Sequence, residues 1–234
     1  MPDDLKLSII VPARNECESL PRMLAELPTD VHEVIVIDGH STDGTPDVVR
    51  KLGFRVETQE GRGYGMGVRT GIKLATGDVV TCMDADGSYD PEALGRLMAG
   101  IKAGNDGVFC SRYLPESGSD DDTPIRWLGN MVFTIMLRVL HGVRLSDSLF
   151  YYALIKRDVL QALPLVSEDF STCIEIPILM HKMGYTYAEI PSRERERLAG
   201  ISKVNALTDG FLILKSMLLF KFMRRPVARR TPAE

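Results

Sequence analysis

Two aspartates, Asp84 and Asp86, are the residues of this sequence whose types and spacing most directly suggest chemistry. They follow an apolar segment, residues 78–83, that reads as a buried strand. In an extended backbone, side chains two positions apart point to the same side, so the two carboxylates share a small volume and repel each other. A bound Mg²⁺ or Mn²⁺ removes this repulsion and leaves coordination positions for substrate phosphate. The pair predicts a metal-assisted diphosphate site, unless Asp86 and Asp90 merely form a turn and a helix cap.

Alternating strands and helices are the elements that must position this pair. Apolar strand-like segments separated by helical patterns occupy residues 5–12, 33–38, 54–57 and 78–83. This order predicts an α/β fold with a mostly parallel sheet that is covered by helices on both faces. Ligands bind such sheets at the carboxyl ends of the strands. Asn15, Asp38, Asp43 and Asp84 all follow strand ends, so we expect them at one edge.

Several of these positions have simpler interpretations. Asn15 followed by Glu18 is also typical of a helix cap, and Asp43 before Gly44 is also typical of a turn. The glycine-rich segment 61–67 lacks the pattern of a phosphate-binding loop. We interpret it as a flexible loop beside a nucleotide that leads into a helix.

The second half of the chain is less regular. A polar segment, residues 115–123, is predicted to be a mobile flap or insertion. Helical patterns follow at about residues 124–140, 171–183 and 206–223, with a strand near residues 150–155. The last helix carries a broad apolar surface, which favours burial against the protein body or against a partner.

Composition limits the class of protein. The chain has 234 residues, of which 44% are hydrophobic and 26% charged, enough for one sizeable core with an appendage. The net charge of −4 argues against a general nucleic-acid binder. Four cysteines show neither metal-ligand spacing nor a disulfide pattern, which favours a reducing cytoplasm. We expect no signal peptide and no membrane span, because the longest uncharged apolar stretch falls well short of about 20 residues.

Three motifs in order resemble the family 2 glycosyltransferases of the GT-A fold. They are residues 10–16 (Ile-Val-Pro-Ala-Arg-Asn-Glu), 36–45 (Val-Ile-Asp-Gly-His-Ser-Thr-Asp-Gly-Thr) and 83–86 (Met-Asp-Ala-Asp). Within that family, residues 108–113 and 197–203 resemble the dolichyl-phosphate and polyprenyl-phosphate mannose and glucose synthases. One stretch departs from their pattern: residues 147–152 (Asp-Ser-Leu-Phe-Tyr-Tyr) lack the usual glycine, which bears on donor and acceptor identity rather than on the fold.

The resemblance implies three groups of site residues. The nucleotide would be held by Pro12, Ala13, Asn15, Glu16, Asp38, Asp43, Asp84 and Ala85. The metal ligands would be Asp84 and Asp86, with Ser88 as a third. The acceptor phosphate and the leaving diphosphate would face Arg112, Arg126, Arg197, Ser202 and Lys203. Among these, the catalytic residues would be Asp86, Arg112, Arg197 and Lys203.

The expected reaction is inverting transfer of a hexose from GDP-mannose or UDP-glucose to a polyprenyl or dolichyl phosphate, assisted by Mg²⁺ or Mn²⁺. A phosphate acceptor is already ionised near neutral pH, so it needs no general base. Two alternatives stay open. A hydroxyl acceptor would need a base, for which Asp169 beside Glu168 is the candidate. The second alternative is that the chain is a non-catalytic nucleotide-sugar-binding subunit or a membrane scaffold.

The domain prediction is a catalytic unit, residues 1–203, followed by an appendage, residues 204–234. Residues 1–115 would form the nucleotide-sugar half of the catalytic unit, and residues 116–203 its acceptor half. The appendage combines the last helix with a basic tail containing Lys221, Arg224, Arg225, Arg229 and Arg230. An apolar helix with basic residues is typical of an interfacial anchor, so we predict peripheral attachment to the cytoplasmic face of a membrane. A second copy of the chain or a small membrane protein is the further partner considered.

Overall fold

In the computed structural model of the chain, residues 5–199 and 206–223 are described. They contain strands and helices that alternate through the first half, as predicted. The strands are β1 (Leu7–Ala13), β2 (Glu33–Asp38), β3 (Arg55–Thr58), β4 (Val79–Cys82), β5 (Gly107–Ser111), β6 (Gly118–Ser119), β7 (Ala153–Lys156), β8 (Tyr187–Pro191) and β9 (Arg193–Glu194). The helices are α1 (Leu20–Ala25), α2 (Thr45–Lys51), α3 (Tyr64–Leu74), α4 (Ala93–Lys102), α5 (Pro124–His141), α6 (Arg157–Ala162), α7 (Thr172–Met183) and α8 (Ala206–Phe222).

A seven-stranded sheet in the order β3-β2-β1-β4-β7-β5-β8 forms the centre of the fold. Neighbouring strands are parallel except at β7, which runs antiparallel to both β4 and β5. In the register, Ala13 at the end of β1 lies beside Asp38 at the end of β2. Ile10 of β1 lies beside Cys82 at the end of β4. The prediction of a mostly parallel sheet with its polar strand ends at one edge is therefore confirmed.

The two faces of this sheet bury separate hydrophobic cores. Alternate residues of one strand point to opposite faces, so Ile10 belongs to one core, whereas Ile9 and Val11 belong to the other. Both faces are covered, which explains why the central strands read as continuous apolar runs. This burial on both sides fixes the strand ends that carry the polar residues.

The glycine-rich segment is not the flexible loop that the sequence suggested. Helix α3 begins within it, at Tyr64, directly after Gly63, whose φ is 99°. A Cβ atom at Gly65 would lie 2.6 Å from the carbonyl oxygen of Ser167, and one at Gly63 would collide with the carbonyl oxygen of Glu168. The glycines therefore let α3 pack closely against the segment that precedes α7, which brings Tyr64 and Asp169 to the same side of the sheet.

The polar segment 115–123, predicted to be a mobile flap, is attached to the body of the protein. It contains β6, which pairs with β9. Asp120 forms an ion pair with Arg193, and the hydroxyl of Tyr113 donates a hydrogen bond of 2.8 Å to Asp122. These contacts place the segment next to the chain that leads from β9 towards the carboxyl edge of the sheet.

Helix α8 packs against the body of the protein through one side. Ile213, Met217 and Phe220 are buried in the same core as α7 and the end of α5. Burial lowers the pKa of His141 on α5, whose Nε2 atom lies 3.0 Å from the carbonyl oxygen of Met217. The neutral ring can therefore donate a hydrogen bond to α8. Within the part of the chain that the structure describes, no helix is long and apolar enough to cross a membrane.

Candidate active site

A cleft of about 620 Å³ opens at the carboxyl edge of the sheet. Its volume is typical of sites that hold small organic ligands. The predicted site residues that line it are Pro12, Ala13, Glu16, Asp84, Ala85, Asp86, Asp169 and Arg197. The topology thus brings residues from the ends of β1 and β4 together with residues that lie far away in the sequence.

Two of the three predicted metal ligands, Asp84 and Asp86, line this cleft with different partners, whereas Ser88 is buried and does not line it. The hydroxyl of Tyr64 donates a hydrogen bond of 3.0 Å to Oδ1 of Asp84. Asp86 is buried, and its Oδ2 atom lies 2.6 Å from Nη1 of Arg197. Burial, together with the negative charge of Asp86, raises the pKa of Asp84 to about 7. Two neighbouring carboxylates in this environment resist ionisation unless positive charge compensates them.

The residues present fit a divalent cation of the hard type. Mg²⁺ usually binds through one or two carboxylates and completes its shell with water and substrate phosphate. Asp84 and Asp86 supply that number of carboxylates, and burial together with the charge of Asp86 raises the pKa of Asp84, although Arg197 partly offsets this shift. A larger cluster of three or more His, Cys, Asp or Glu side chains is not found among the described residues. The amide of Ser88 donates a hydrogen bond of 2.9 Å to Oδ1 of Asp86, which orients this carboxylate.

Asn15 and Asp43 are exposed and do not line the cleft, but they hold together two loops at this edge. The backbone of Asn15 is left-handed, with φ of 54°, and its side-chain Oδ1 accepts a hydrogen bond of 2.8 Å from the amide of Thr42. The prediction that Asn15 caps the first helix is wrong, because α1 starts later, with Ser19 as its N-cap. The Asn15 contact instead ties the loop after β1 to the loop after β2.

Asp43 holds the same two loops together from the other side. Its Oδ1 accepts a hydrogen bond of 2.9 Å from the amide of Thr45, and its Oδ2 accepts one of 3.1 Å from the amide of Cys17. Burial opposes ionisation of Asp43, but these hydrogen bonds outweigh it and hold the pKa well below its usual range. Asp43 is therefore a fixed anion that joins the start of α2 to the loop after β1.

Asp38 is buried at the end of β2 and is only half satisfied. Its Oδ2 accepts a hydrogen bond of 3.2 Å from the amide of Ser41. Its Oδ1 has no hydrogen-bond partner among the described residues. A buried acceptor without a partner is costly, so this atom suits a donor group on a ligand.

Two of the predicted phosphate-binding arginines do not reach the cleft. Arg112 is largely buried, donates hydrogen bonds to both carboxylate oxygens of Asp147, and forms a further ion pair of 2.9 Å with Glu194. Arg126 lies at the surface, where it pairs with Asp121. Both guanidinium groups are thus held by carboxylates. Ser202 and Lys203, the other predicted phosphate ligands, lie outside the described residues.

Arg197 reaches the cleft because its backbone is attached to the loop that carries Asp86. The amide of Leu198 donates a hydrogen bond of 2.8 Å to the carbonyl of Asp86, and that of Arg195 donates one of 2.8 Å to the carbonyl of Ser88. Gly87, with φ of 77°, permits this approach, since a Cβ atom there would lie 2.6 Å from Cγ of Leu198. The two segments therefore form one rigid unit.

Sequence reasoning missed several residues that line the cleft. These are Arg14, Gly39, His40, Thr42, Gln59, Phe170 and Asp209. Arg14, Gly39, His40 and Thr42 fall inside the motifs quoted above, so the motifs could have indicated them. Arg62, Gly63 and Tyr64 also line the cleft, and they belong to the glycine-rich segment that was expected beside a nucleotide. Asp209 carries no local signal, because only packing brings α8 to this edge.

Solved structures with the same architecture define the class of this fold. The chain superposes on glucosyl-3-phosphoglycerate synthase from Mycobacterium tuberculosis, in a complex with Mn²⁺, UDP-glucose and phosphoglyceric acid, with a TM-score of 0.73 and 20% identity. The match covers 94% of this chain and 81% of that protein. The complex of the same enzyme with Mg²⁺ and UDP gives a TM-score of 0.72 at 20% identity, over 93% and 79% of the two chains. The fold is of the GT-A glycosyltransferase type.

The chain belongs to glycosyl transferase family 2, whose sequence profile matches residues 8–163. It is 30% identical to a dolichyl-phosphate hexose transferase from Haloferax volcanii, over 91% of this chain and 92% of that protein. It is 32% identical to an undecaprenyl-phosphate mannosyltransferase from Micrococcus luteus, with coverage of 86% and 88%. A polyprenol monophosphomannose synthase from Mycolicibacterium smegmatis is 31% identical, with coverage of 84% and 80%. The resemblance stated from the motifs is therefore confirmed, and the chain is a glycosyltransferase.

Proposed function

We propose that this glycosyltransferase moves a hexose, with inversion, from GDP-mannose or UDP-glucose to a polyprenyl or dolichyl phosphate. The observation that carries the proposal is the meeting of Asp84, Asp86 and Arg197 in one cleft. Such a site offers carboxylates for a divalent cation and a guanidinium for phosphate. The names of the three relatives support a lipid-phosphate acceptor.

The proposed chemistry assigns most of the work to charge neutralisation. A bound Mg²⁺ or Mn²⁺ at Asp84 and Asp86 would supply positive charge to the leaving diphosphate. Arg197 would bind phosphate oxygens, and we propose that Ser202 and Lys203 contribute beside it. The acceptor phosphate attacks the anomeric carbon as an anion, so the protein must orient it in line with the leaving group rather than deprotonate it.

The nucleoside is proposed to lie against the ends of β1 and β2. Pro12, Ala13 and Glu16 line the cleft at this position. The unpartnered Oδ1 of buried Asp38 would accept a hydrogen bond from the ribose or the base. Asn15 and Asp43 act indirectly in this proposal, since their hydrogen bonds fix the two loops against which the nucleoside packs.

Arg112 is proposed to be a positioning residue instead of a phosphate ligand. It joins buried Asp147 to Glu194 of β9. The chain continues from β9 directly to Arg195 and Arg197, so this ion-pair network anchors the segment that delivers Arg197. A buried guanidinium between two carboxylates is costly to break, which suits an anchor.

The direct test is transfer of radiolabelled sugar to lipid. The protein, Mn²⁺ and a polyprenyl phosphate are incubated with labelled GDP-mannose or with labelled UDP-glucose. We expect label in an organic-extractable, mild-acid-labile product with one of the two donors. Label in a water-soluble glycoside would overturn the lipid acceptor, and nucleotide binding without any transfer would favour the non-catalytic alternative.

A hydroxyl acceptor is the second candidate, because the structure brings Asp169 into the cleft. The Oδ1 atom of Asp169 accepts a hydrogen bond of 2.8 Å from the amide of Ser171, which orients the carboxylate. An Asp169→Asn variant keeps this geometry but cannot act as a base. With a phosphate acceptor we expect its kcat to fall less than about 10-fold, whereas loss of a general base costs roughly 10²- to 10⁴-fold. Steady-state kinetics with the lipid phosphate distinguish the two outcomes.

Membrane attachment is proposed to involve α5 as well as α8. Helix α5 buries polar Asn130 and Thr134, which hydrogen-bond Asp147 and Ser148, as well as apolar Leu137, while several other apolar side chains of this helix are exposed. The exposed apolar side chains recur at helical spacing; they are Ile125, Leu128, Val132, Ile135 and Val139. A contiguous apolar stripe of this kind marks an interaction surface.

Helix α8 also carries exposed apolar side chains. Phe211, Leu218, Leu219 and Phe222 are exposed, although the opposite side of the helix is buried in the core. Lys215 and Lys221 are exposed on the same helix. We call the exposed apolar residues of α5 and α8 the apolar face. Apolar side chains accompanied by basic residues suit an anionic lipid surface, where a lipid-linked acceptor would be presented.

A further inference from the structure

The ion pair between Arg197 and Asp86 puts a positive charge where the proposed cation would bind. Nη1 of Arg197 lies 2.6 Å from Oδ2 of Asp86, and the two side chains are 28% and 5% exposed. The other carboxylate oxygen, Oδ1, accepts the hydrogen bond from the amide of Ser88. Both oxygens of Asp86 are therefore engaged by groups of the protein itself.

A divalent cation and this guanidinium cannot use Oδ2 of Asp86 without strong repulsion. Mg²⁺ binds carboxylate oxygens at about 2.0–2.1 Å, which would bring two like charges into close proximity in a largely buried site. The two cations therefore compete for this oxygen. The metal would have Asp84 as a second ligand. The guanidinium of Arg197 can instead form hydrogen bonds with phosphate oxygens of the donor.

We propose that Arg197 acts as a built-in counter-ion of Asp86, that the divalent cation displaces it, and that its guanidinium then turns to the phosphate groups in the same cleft. The inference rests on the proposed function, because it takes Asp84 and Asp86 as the metal ligands. It adds a competition step, in which Arg197 pairs first with Asp86 and then with the phosphate groups. Arg197 thereby becomes available to phosphate only after the cation has bound.

The local structure allows this exchange without unfolding of the segment. The amides of Arg195 and Leu198 hold the backbone to the carbonyls of Ser88 and Asp86. The side chain of Arg195 is separately held by the carbonyls of Gly87 and Tyr89 and by Glu26. With the backbone anchored on both sides of Arg197, rotation of its long side chain is sufficient, and its head stays within the cleft that it already lines.

The test is binding of Mn²⁺ alone, measured by electron paramagnetic resonance of the unbound ion, in the full chain and in an Arg197→Gln variant. Removal of a competing cation should tighten Mn²⁺ binding, by roughly 5- to 150-fold for a coupling of ordinary size. Arg193→Gln is the matched control, because it removes the same charge from an exposed position that forms a salt bridge with surface Asp120. It should leave Mn²⁺ affinity unchanged.

Binding of a nucleoside diphosphate should change in the opposite direction to binding of Mn²⁺. With saturating Mn²⁺, we expect Arg197→Gln to bind UDP or GDP more weakly than the unaltered chain, because a phosphate ligand has been lost. An Arg197→Lys variant keeps the positive charge and should restore part of the competition with Mn²⁺. It also provides a test if the neutral Arg197→Gln variant folds poorly. Unchanged or weaker Mn²⁺ binding in a folded Arg197→Gln variant would overturn the inference. Failure of every variant to bind Mn²⁺, with or without nucleotide, would overturn the proposed metal site itself.

Discussion

An Asp86→Ala variant is expected to lose both turnover and the stabilisation that Mn²⁺ together with nucleotide gives to the unaltered chain. Removal of the Asp86 carboxylate leaves Asp84 as the remaining carboxylate for the cation. It also removes the ion pair between Asp86 and Arg197. Electrostatic groups at a reacting centre contribute on the order of 10²- to 10³-fold each, and loss of the cation removes more than one of them. We therefore expect kcat to fall by at least about 10³-fold.

The stability measurement makes this prediction independent of the assay. A ligand present at about 100 times its Kd stabilises a folded protein by about 2.7 kcal/mol. For a domain of this size that corresponds to roughly 5–10 °C in Tm. The unaltered chain should show this shift with Mn²⁺ and either GDP or UDP, and Asp86→Ala should show none. Full activity in Asp86→Ala would remove Asp86 from the metal site.

Asp84→Asn provides the matched control. We expect it to stabilise the metal-free protein, whereas Asp86→Ala removes the ion pair with Arg197. Burial and the charge of Asp86 raise the pKa of Asp84 to about 7. A raised pKa means that the charged carboxylate destabilises the fold above that pH, and that this cost disappears as the pH falls below the pKa of the unfolded chain. In the presence of a chelator, Asp84→Asn should therefore raise Tm at pH 8 and change it little at pH 4, while it abolishes the shift with Mn²⁺ and nucleotide.

Substitution of the apolar face is the second change with a large expected effect. Ile125, Val132 and Val139 lie seven residues apart on α5, are 84%, 48% and 74% exposed, and make few contacts with the core. Burial of one such side chain in an apolar phase contributes about 1.5–3 kcal/mol at most. We expect their combined replacement by glutamine to reduce partition into anionic liposomes by at least about 100-fold, measured by co-sedimentation.

Point substitutions are required for this experiment because α8 is part of the fold. Truncation before α8 would remove Ile213, Met217 and Phe220 from the core and confuse unfolding with loss of attachment. Leu52→Gln with Val166→Gln is the control, since both residues are exposed apolar residues outside the apolar face. Unchanged sedimentation of the α5 variant would contradict the membrane proposal. If that variant instead changes from a dimer to a monomer in light scattering, the apolar face is a contact between copies of the chain.

Local sequence patterns were sufficient to predict the sheet and the location of the acidic pair. Continuous apolar runs such as residues 34–37 are typical of strands buried on both faces, and Asp84 and Asp86 follow one of these predicted strands. Because the carboxyl ends of parallel strands share an edge, the local pattern was enough to bring Ala13, Asp38 and Asp84 to the same region. The motifs were also sufficient to identify the family.

The tertiary structure alone decided which charged residues reach the cleft. Arg112, Arg126 and Arg197 look alike in the sequence, yet carboxylates that do not line the cleft hold the first two, and Arg197 is the one of the three that meets Asp86. The burial of Asn130 and Thr134 on α5 likewise depends on neighbouring residues, because Asp147 and Ser148 supply their hydrogen-bond partners. Such ion pairs and packing contacts join residues that are distant in the chain, and periodicity, caps and motifs report only on local neighbours.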